Sequence, residues 1–269
     1  MALEFVEICL LAGGKGTRMR DGKRREFQTT PKVLLRIWHD GKSASLFAHA
    51  MHGILSLSPG AISVLASRHP RCGAELILEE ISKFRETQRI AVHWDPLEKE
   101  FGTARALYQA AHESSFPVLV VVTADTIFPF RKLPLAVELH RTRKAGATWI
   151  ITTKPGPMAQ NSGCLLFDPE KGRLSLSKEG AVFPSGMVTG AAELVEGTST
   201  GTIIFSSVFY RDRFAELRRR FCSGPIDIYH DLMPFLLNRG DEISVFDVAE
   251  PTPDLGTPER FIRFGQSAE

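Results

Sequence analysis

Over roughly the first 155 residues, short runs of apolar residues alternate with stretches in which apolar residues recur at helical spacing. Continuous apolar runs are typical of strands buried on both faces of a parallel sheet, and the helical stretches predict the helices that cover those faces. The run at 117–124 is rich in valine, which favours a central strand. The pattern predicts strands at residues 5–11, 61–66, 89–94, 117–124 and 148–153 and helices at 45–57, 71–86, 103–112 and 134–144.

The second part of the chain has a less regular pattern. Turns that contain glycine join predicted strands at 162–167, 173–177, 202–207 and 243–248 and predicted helices at 212–221 and 226–239. Because no repeat and no low-complexity linker divides the sequence, we expect one α/β domain over residues 1–269. Its regular part covers roughly 1–155, and α+β additions cover roughly 156–269.

Composition narrows the class of protein. Hydrophobic residues make up 43% of the chain, which excludes intrinsic disorder. The 33 basic and 31 acidic residues leave a net charge of +2, so we expect no nucleic-acid partner. No apolar run reaches the ~20 residues of a membrane helix, and the acidic start differs from a signal peptide, so we expect a cytoplasmic protein without a membrane partner. The four cysteines lie far apart, which predicts reduced thiols rather than disulfides or a zinc site.

A glycine-rich loop follows the first predicted strand. Its residues are, in order, Leu11, Ala12, Gly13, Gly14, Lys15, Gly16, Thr17 and Arg18. Glycines after a buried strand let backbone N–H groups approach an anion closely. The loop is not a Walker A motif, because Thr17-Arg18 follows Gly16 where Lys-Ser or Lys-Thr would be needed. It is not a dinucleotide fingerprint either, because Met19 stands where a third glycine would be needed.

Basic residues concentrate in and after this loop. Residues 15–36 carry eight basic and two acidic side chains, a local charge of +6 in a nearly neutral protein. We expect Arg18 and Lys32 to contact phosphate, because glycine and proline fix the backbone beside them and both side chains suit a triphosphate. A solvated loop is the favoured interpretation for the remaining cluster, Arg20, Lys23, Arg24 and Arg25.

The motif Gly13-Gly14-x-Gly16-Thr17-Arg18 followed by Pro31-Lys32 closely resembles the sugar-1-phosphate nucleotidyltransferases, or NDP-sugar pyrophosphorylases. Further matches follow in the family's order at residues 95–107, 120–127, 172–179, 198–205 and 253–259. The resemblance therefore extends over nearly the whole chain. It implies a Rossmann-like, GT-A-like α/β fold with a mixed, mainly parallel sheet flanked by helices, a nucleotide-binding part at roughly 1–155 and a sugar-binding part at roughly 156–269.

The resemblance also implies roles for single residues. Asp125 and Asp254, 129 positions apart, match the family's metal ligands and imply Mg²⁺ as cofactor. A carboxylate directly after a central strand is well placed to hold a hard cation. A helix N-cap is the alternative for Asp125, and a turn before a helix that starts at Pro258 is the alternative for Asp254.

Substrate contacts are implied at the remaining matching positions. Arg18 and Lys32 match catalytic positions, and Lys178, Ser199 and Gly201 match contacts to the sugar phosphate. The nucleotide contacts implied are Leu11, Ala12, Gly13, Gly14, Lys15, Gly16, Thr17, Asp95, Gly102 and Thr103. Asp95 could accept hydrogen bonds from the N1 and N2 donors of guanine, and a surface acid is the alternative.

The implied reaction is nucleotidyl transfer from a nucleoside triphosphate to a sugar 1-phosphate, giving a nucleotide-sugar and pyrophosphate. A phosphate monoester loses its second proton near pH ~6, so the reaction needs no general base. Three alternatives stay open: a catalytically weak regulatory relative that binds a nucleotide-sugar, transfer to a non-sugar phosphate acceptor, and a glycosyltransferase. A homo-oligomeric state also stays open.

Overall fold

The apolar runs become strands in the computed structural model, which describes residues 2–84, 89–95, 102–154, 164–178, 193–220 and 224–267. The strands are β1 Val6–Leu11, β2 Arg36–His39, β3 Lys42–Ser45, β4 Ala61–Ser67, β5 Ile90–Asp95, β6 Val118–Thr123, β7 Ala147–Thr152, β8 Cys164–Asp168, β9 Arg173–Lys178, β10 Val195–Ser206 and β11 Ile243–Asp247. The helices are α1 Thr17–Arg20, α2 Arg25–Thr29, α3 Leu46–Leu55, α4 Ala74–Ser82, α5 Gly102–Glu113, α6 Leu133–Thr142, α7 Ser207–Arg220, α8 Met233–Arg239 and α9 Pro258–Ser267.

One mixed sheet contains nine of these strands, in the order β5-β4-β1-β6-β10-β7-β11-β9-β8. The neighbours from β5 to β6 are parallel, as are β7 and β11, whereas β9 and β10 run against their neighbours. Strand β8 also pairs with β10, which closes the last five strands of this order into a ring. The predicted α/β fold with a mixed, mainly parallel sheet is confirmed.

Helices cover both faces of the sheet, because successive side chains of a strand point to opposite faces. Val118, Val120 and Val122 of β6 pack with α3, α4 and α6. Leu119 and Val121 of the same strand pack with α5, α7 and α8. All five side chains are buried, which explains why β6 is a continuous apolar run in the sequence.

A smaller core anchors the basic segment that follows the glycine loop. Met19 on α1 and Phe27 on α2 are buried in this core. The ring of Phe27 packs edge-on against Phe261 of α9, with 5.6 Å between the ring centroids. The apolar side chains of Met19 and Phe27 therefore fix the start and the end of a highly charged stretch.

The expectation of a solvated loop for the cluster of Arg20, Lys23, Arg24 and Arg25 is wrong in part. The segment forms the short helices α1 and α2, because its two apolar residues bury themselves against α9. Lys23, Arg24 and Arg25 are exposed, as expected. Arg20 is half-buried and donates hydrogen bonds to the backbone carbonyls of Gln28 and Arg71.

Further elements differ from the sequence pattern, and β10 and α7 both begin earlier than the strand predicted at 202–207 and the helix predicted at 212–221. The helix predicted at 71–86 is divided at Gly73, which adopts φ +64° and leaves no room for a Cβ beside the ring of Pro31. The helix predicted at 226–239 begins as a wider turn, Ile228–Leu232, before α8. The pattern missed the β2–β3 hairpin, although its turn residues Asp40 and Gly41 form a strong local hairpin signal.

Some of the expectations remain predictions. Residues 155–163 lie outside the described residues, so the division near residue 155 stays a prediction. Cys9, Cys72 and Cys164 are free thiols, and Cys222 lies outside the described residues. Among the helices that the structure describes, none is both long and apolar enough to span a bilayer.

We predict that Phe27→Ala lowers the free energy of unfolding by about 3–5 kcal/mol, because it empties the centre of the smaller core. Urea unfolding measures the loss. The matched control is Trp38→Ala, since Trp38 is 53% exposed on β2, and we expect a change of about 1 kcal/mol or less. Equal losses for both variants would show that the basic segment is not anchored through Phe27.

Candidate active site

A cavity of about 300 Å³ lies at the carboxyl ends of β1, β4, β5 and β6. In the sheet, β4 and β5 lie on one side of β1, whereas β6 pairs with the other side of β1. The strand order therefore reverses at β1. Open α/β sheets bind their ligands at such a switch point. The residues predicted from the sequence that line this cavity are Leu11, Gly13, Gly14, Lys15, Lys32, Asp95, Gly102, Thr103 and Asp125.

The glycine loop passes close to the neighbouring elements. A Cβ on Gly13 would lie 3.2 Å from the backbone of Ala66 and Ser67 at the end of β4. Gly16 adopts φ +61°, and a Cβ there would lie 3.2 Å from the Cβ of Lys32. A side chain at Gly13 would therefore crowd the packing of the loop on β4, and one at Gly16 would be strained and would crowd Lys32. Ala12 is buried behind the loop, and Thr17 and Arg18 are exposed at the start of α1.

Helix α5 forms the opposite wall of the cavity. Gly102 adopts φ +72°, and a Cβ there would lie 2.4 Å from the carbonyl oxygen of Ile226. The hydroxyl of Thr103 donates to Oδ2 of Asp227 over 2.7 Å and accepts from the backbone N–H of Ile228 over 2.8 Å. Thr103 therefore ties α5 to the segment that precedes α8. Asp95 lines the cavity from the end of β5, where it pairs in register with Ser67 of β4.

The two aspartates meet through a short antiparallel contact between distant parts of the chain. Thr126 and Asp254 form an isolated β-bridge. The backbone N–H of Leu255 donates to the carbonyl of Asp125, and that of Ile127 donates to the carbonyl of Pro253, each over 2.9 Å. Asp125 does not cap a helix, because the next helical turn follows Pro129. Asp254 precedes α9, which begins at Pro258 as predicted.

Each aspartate forms an ion pair within the chain. Nζ of Lys32 donates to Oδ2 of Asp125, and Nη1 of Arg260 donates to Oδ2 of Asp254. Oδ1 of Asp254 accepts from the backbone N–H of Gly256 over 2.7 Å. Lys32 and Arg260 are largely buried, with side chains 14% and 12% exposed. These pairs are therefore shielded from water better than surface ion pairs.

The two carboxyl groups have opposite pKa shifts. Burial acts to raise the pKa of Asp125, but the charge and hydrogen bond of Lys32 outweigh it, with help from the charge of Arg18, so that this pKa is lowered. The pKa of Asp254 is raised by its burial and by the negative charge of Asp125, although Arg260 acts in the other direction. Asp254 thus lies close enough to Asp125 to feel its charge, as two ligands of one cation must.

The space between these carboxylates is bordered by Gly256. A Cβ on Gly256 would lie 2.8 Å from Oδ1 of Asp254 and 3.5 Å from Oδ2 of Asp125, so a side chain would fill this space. Carboxylate oxygens are the ligands that Mg²⁺ prefers, and one or two of them suffice when substrate phosphates supply further oxygens. Within the described ranges, no group of three or more His, Cys, Asp and Glu side chains could hold a metal. The donor set thus fits a magnesium ion shared with phosphate.

The residues matched to the sugar phosphate lie along β10 and β9. Gly201 adopts φ +69°, and a Cβ there would lie 2.4 Å from Oγ1 of Thr123, so Gly201 adjoins the end of β6. The hydroxyl of Ser199 accepts from Nε1 of Trp149 over 2.9 Å and from the backbone N–H of Gly201 over 3.2 Å. Lys178 is the last residue of β9 and pairs in register with Cys164 of β8. Cys164 pairs in turn with Thr198 of β10, next to Ser199.

Sequence reasoning missed four residues that shape the site. Asp227 and Tyr229 line the cavity, and the hydroxyl of Tyr229 donates to the carbonyl of Gly201 over 2.9 Å. Arg260 and Gly256 adjoin Asp254, and both lie within or directly after the motif that identified this aspartate. Gly256 and Arg260 adjoin a recognisable motif, whereas Asp227 and Tyr229 have no local signal in the sequence.

Comparisons with known proteins identify the family of this chain. The family model for nucleotidyl transferases matches residues 8–179. A comparison with curated protein sequences gave no significant match. Because the family model matches more than half of the 269 residues, the chain belongs to the nucleotidyl transferase family. The family resemblance drawn from the sequence is confirmed.

Solved structures share this fold at low sequence identity. HddC from Yersinia pseudotuberculosis, complexed with GMP-PN, has a TM-score of 0.67 and 16% identity over 98% of this chain and 99% of its own. The inositol-1-phosphate CTP transferase from T. maritima has a TM-score of 0.66 and 16% identity over 100% of this chain and 97% of its own. A structure described as a glucose-1-phosphate thymidylyltransferase from Bacillus anthracis, in complex with sucrose, has a TM-score of 0.69 and 18% identity over 98% of this chain and 95% of its own.

We predict that Gly102→Ala lowers the free energy of unfolding by about 2 kcal/mol or more, because a Cβ at this positive φ would meet the backbone of Ile226. Chemical denaturation gives the change directly. Gly265→Ala is the control: Gly265 is exposed on α9, no described atom lies within 4 Å of its added Cβ, and the helix favours alanine. A Gly102→Ala protein as stable as the control would contradict the close packing of α5 on the cavity wall.

Proposed function

We propose that this nucleotidyl transferase condenses a nucleoside triphosphate with a sugar 1-phosphate, in a magnesium-dependent reaction that gives a nucleotide-sugar and pyrophosphate. The proposal depends mainly on one observation. Asp125 and Asp254 lie side by side across Gly256, with Lys32 bound to Asp125 at the edge of the cavity that the glycine loop lines. A cation site next to an anion-binding loop suits a triphosphate.

The structural neighbours support a phosphate acceptor. Their names include a thymidylyltransferase of glucose 1-phosphate and a CTP transferase of inositol 1-phosphate, and HddC was solved with GMP-PN. The acceptors named are phosphate monoesters, and the nucleotides differ in their bases. The shared fold therefore supports the proposed reaction class. Which base and which acceptor are used depends on the residues of this chain.

In the proposed reaction, an oxygen of the acceptor phosphate attacks the α-phosphorus of the triphosphate. The bond from the α-phosphorus to the oxygen of the departing pyrophosphate breaks as the new P–O bond forms. The acceptor is already an anion near neutral pH, so no side chain has to remove a proton. Catalysis then consists of positioning the phosphates and stabilising their charge.

The chain offers several groups for this task. Lys32, which binds Asp125, and Arg18, which lies on α1 directly after the glycine loop, would neutralise the reacting phosphates. Lys15 and the N–H groups of the glycine loop would hold the departing pyrophosphate. Asp125 and Asp254 would hold magnesium together with phosphate oxygens, and the bound ion would supply further charge neutralisation.

The remaining matched residues would select the substrates. Asp95 would face the base from the end of β5, opposite Gly102 and Thr103 on α5. Lys178 and Gly201 would contact the acceptor phosphate or its sugar. Ser199 accepts hydrogen bonds from Trp149 and Gly201, so its hydroxyl is held in place by the chain itself. This contact favours a fixed acceptor pocket. A polyol phosphate is the second candidate for the acceptor, because one structural neighbour is named as a CTP transferase of inositol 1-phosphate.

Pyrophosphate release tests the proposal. The common nucleoside triphosphates are crossed with a panel of sugar 1-phosphates and inositol 1-phosphate in the presence of Mg²⁺. Release with one sugar pair supports the proposed function, and release only with the polyol phosphate supports the second candidate. Nucleotide binding without release from any pair would overturn both and indicate a regulatory relative.

We predict that Asp125→Asn still folds but loses turnover by a factor on the order of one hundred or more, because the cation loses a charged ligand. The readout is the rate of pyrophosphate release at saturating substrates. Asp212→Asn removes one carboxylate from the exposed face of α7 and serves as the control. Full activity of Asp125→Asn would refute its assignment as a metal ligand.

Gly256→Ala tests the space between the carboxylates. The added methyl group would displace Oδ1 of Asp254, and we expect the magnesium concentration for half-maximal rate to rise about tenfold. A magnesium titration of the rate measures this change, with Gly265→Ala as the matched glycine replacement. An unchanged magnesium dependence would show that the cation does not lie between Asp125 and Asp254.

A further inference from the structure

The ion pairs of the two aspartates are not equivalent. Lys32 is bound to Oδ2 of Asp125, which is the oxygen that faces the space bordered by Gly256. Arg260 is bound to Oδ2 of Asp254, whereas Oδ1 of Asp254 faces that space. Lys32 therefore binds the oxygen of Asp125 that faces the space shared by the two carboxylates. Arg260 instead binds Oδ2 of Asp254, not the Oδ1 that faces this space.

The backbone supports this difference. Arg260 lies on α9, only six positions after Asp254, and Gly256 holds Oδ1 of the same aspartate through its N–H group. Asp254 is thus fixed at both oxygens by its own segment. Lys32 comes from a distant segment directly after Pro31, and its Cβ lies against the glycine loop, where a triphosphate would bind.

We propose that the ammonium group of Lys32 occupies the cation position between Asp125 and Asp254 in the free enzyme, and that a bound triphosphate draws Lys32 away so that a divalent cation can enter. This inference rests on the proposed function. Arg260 is a positioning residue that keeps Asp254 oriented before and after the exchange. The exchange replaces one cation by another, and no covalent bond or proton transfer is involved.

A consequence is that the free enzyme holds a divalent cation weakly. The positive charge of Lys32 neutralises the negative charge of Asp125. A second cation at the same carboxylate oxygen would be repelled by Lys32. Triphosphate oxygens offer Lys32 an alternative partner of higher charge. The site for the divalent cation is then completed only when the nucleotide is present, which links cation binding to nucleotide binding.

The test measures Mn²⁺ binding to the nucleotide-free protein by electron paramagnetic resonance, without any turnover. Lys32→Met removes the ammonium group, and we expect it to bind Mn²⁺ at least about tenfold more tightly than the wild type. Arg260→Met is the matched control, because it removes the other cation of the cluster, and we expect no gain. Thermal unfolding checks that each variant is folded, and Lys32→Gln replaces Lys32→Met if the latter does not fold.

Further variants in the Lys32→Met background locate the new affinity. Adding Asp125→Asn should abolish the gain, adding Arg260→Met should remove most of it, and adding Arg260→Lys should preserve it. Unchanged Mn²⁺ affinity in Lys32→Met would overturn the proposal, as would an equal gain in Arg260→Met or a gain that survives Asp125→Asn. Failure of the proposed function would appear only as missing pyrophosphate release and would leave these binding results as they are.

Discussion

The site depends on one short antiparallel contact between residues 125–127 and 253–255. Two backbone hydrogen bonds and one bridge bring together carboxylates that are 129 positions apart in the sequence. One partner extends from the central strand β6, and the other precedes α9, which packs on the smaller core. The geometry of Asp125 and Asp254 is therefore set by the packing of the whole sheet and of the C-terminal helix, not by local sequence.

Bringing two carboxylates together has an electrostatic cost, which the chain offsets with its own cations. Lys32 lowers the pKa of Asp125 despite burial, and Arg260 opposes the rise in the pKa of Asp254 that burial and Asp125 cause. The basic segment contributes Lys32 and the charge of Arg18, and Phe27 anchors that segment beside α9. Three of the eight basic residues at 15–36, namely Lys15, Arg18 and Lys32, thus bring positive charge to the site, while the protein as a whole stays nearly neutral.

Elements that are buried on both faces could be predicted from the sequence, because burial on both faces leaves a continuous apolar run, as in β1 and β6. The glycine loop and the two aspartates could also be predicted, since their motifs resemble those of the nucleotidyltransferase family. The pairing of Arg260 with Asp254 could not be predicted, although Arg260 directly follows the motif, because this pairing depends on how α9 packs on the smaller core. The same holds for Thr103 and Asp227, which meet across 124 positions. The helices α1 and α2 were missed because two apolar residues in a charged stretch give no clear periodicity.

The most direct test of this account is a double-mutant cycle between Asp125→Asn and Asp254→Asn on the rate of pyrophosphate release. If both carboxylates serve one cation, removing either disables the same function, so the double variant should be little slower than the slower single variant. Independent roles would make the two losses multiply. A multiplicative result would contradict the claim that these aspartates form a single site.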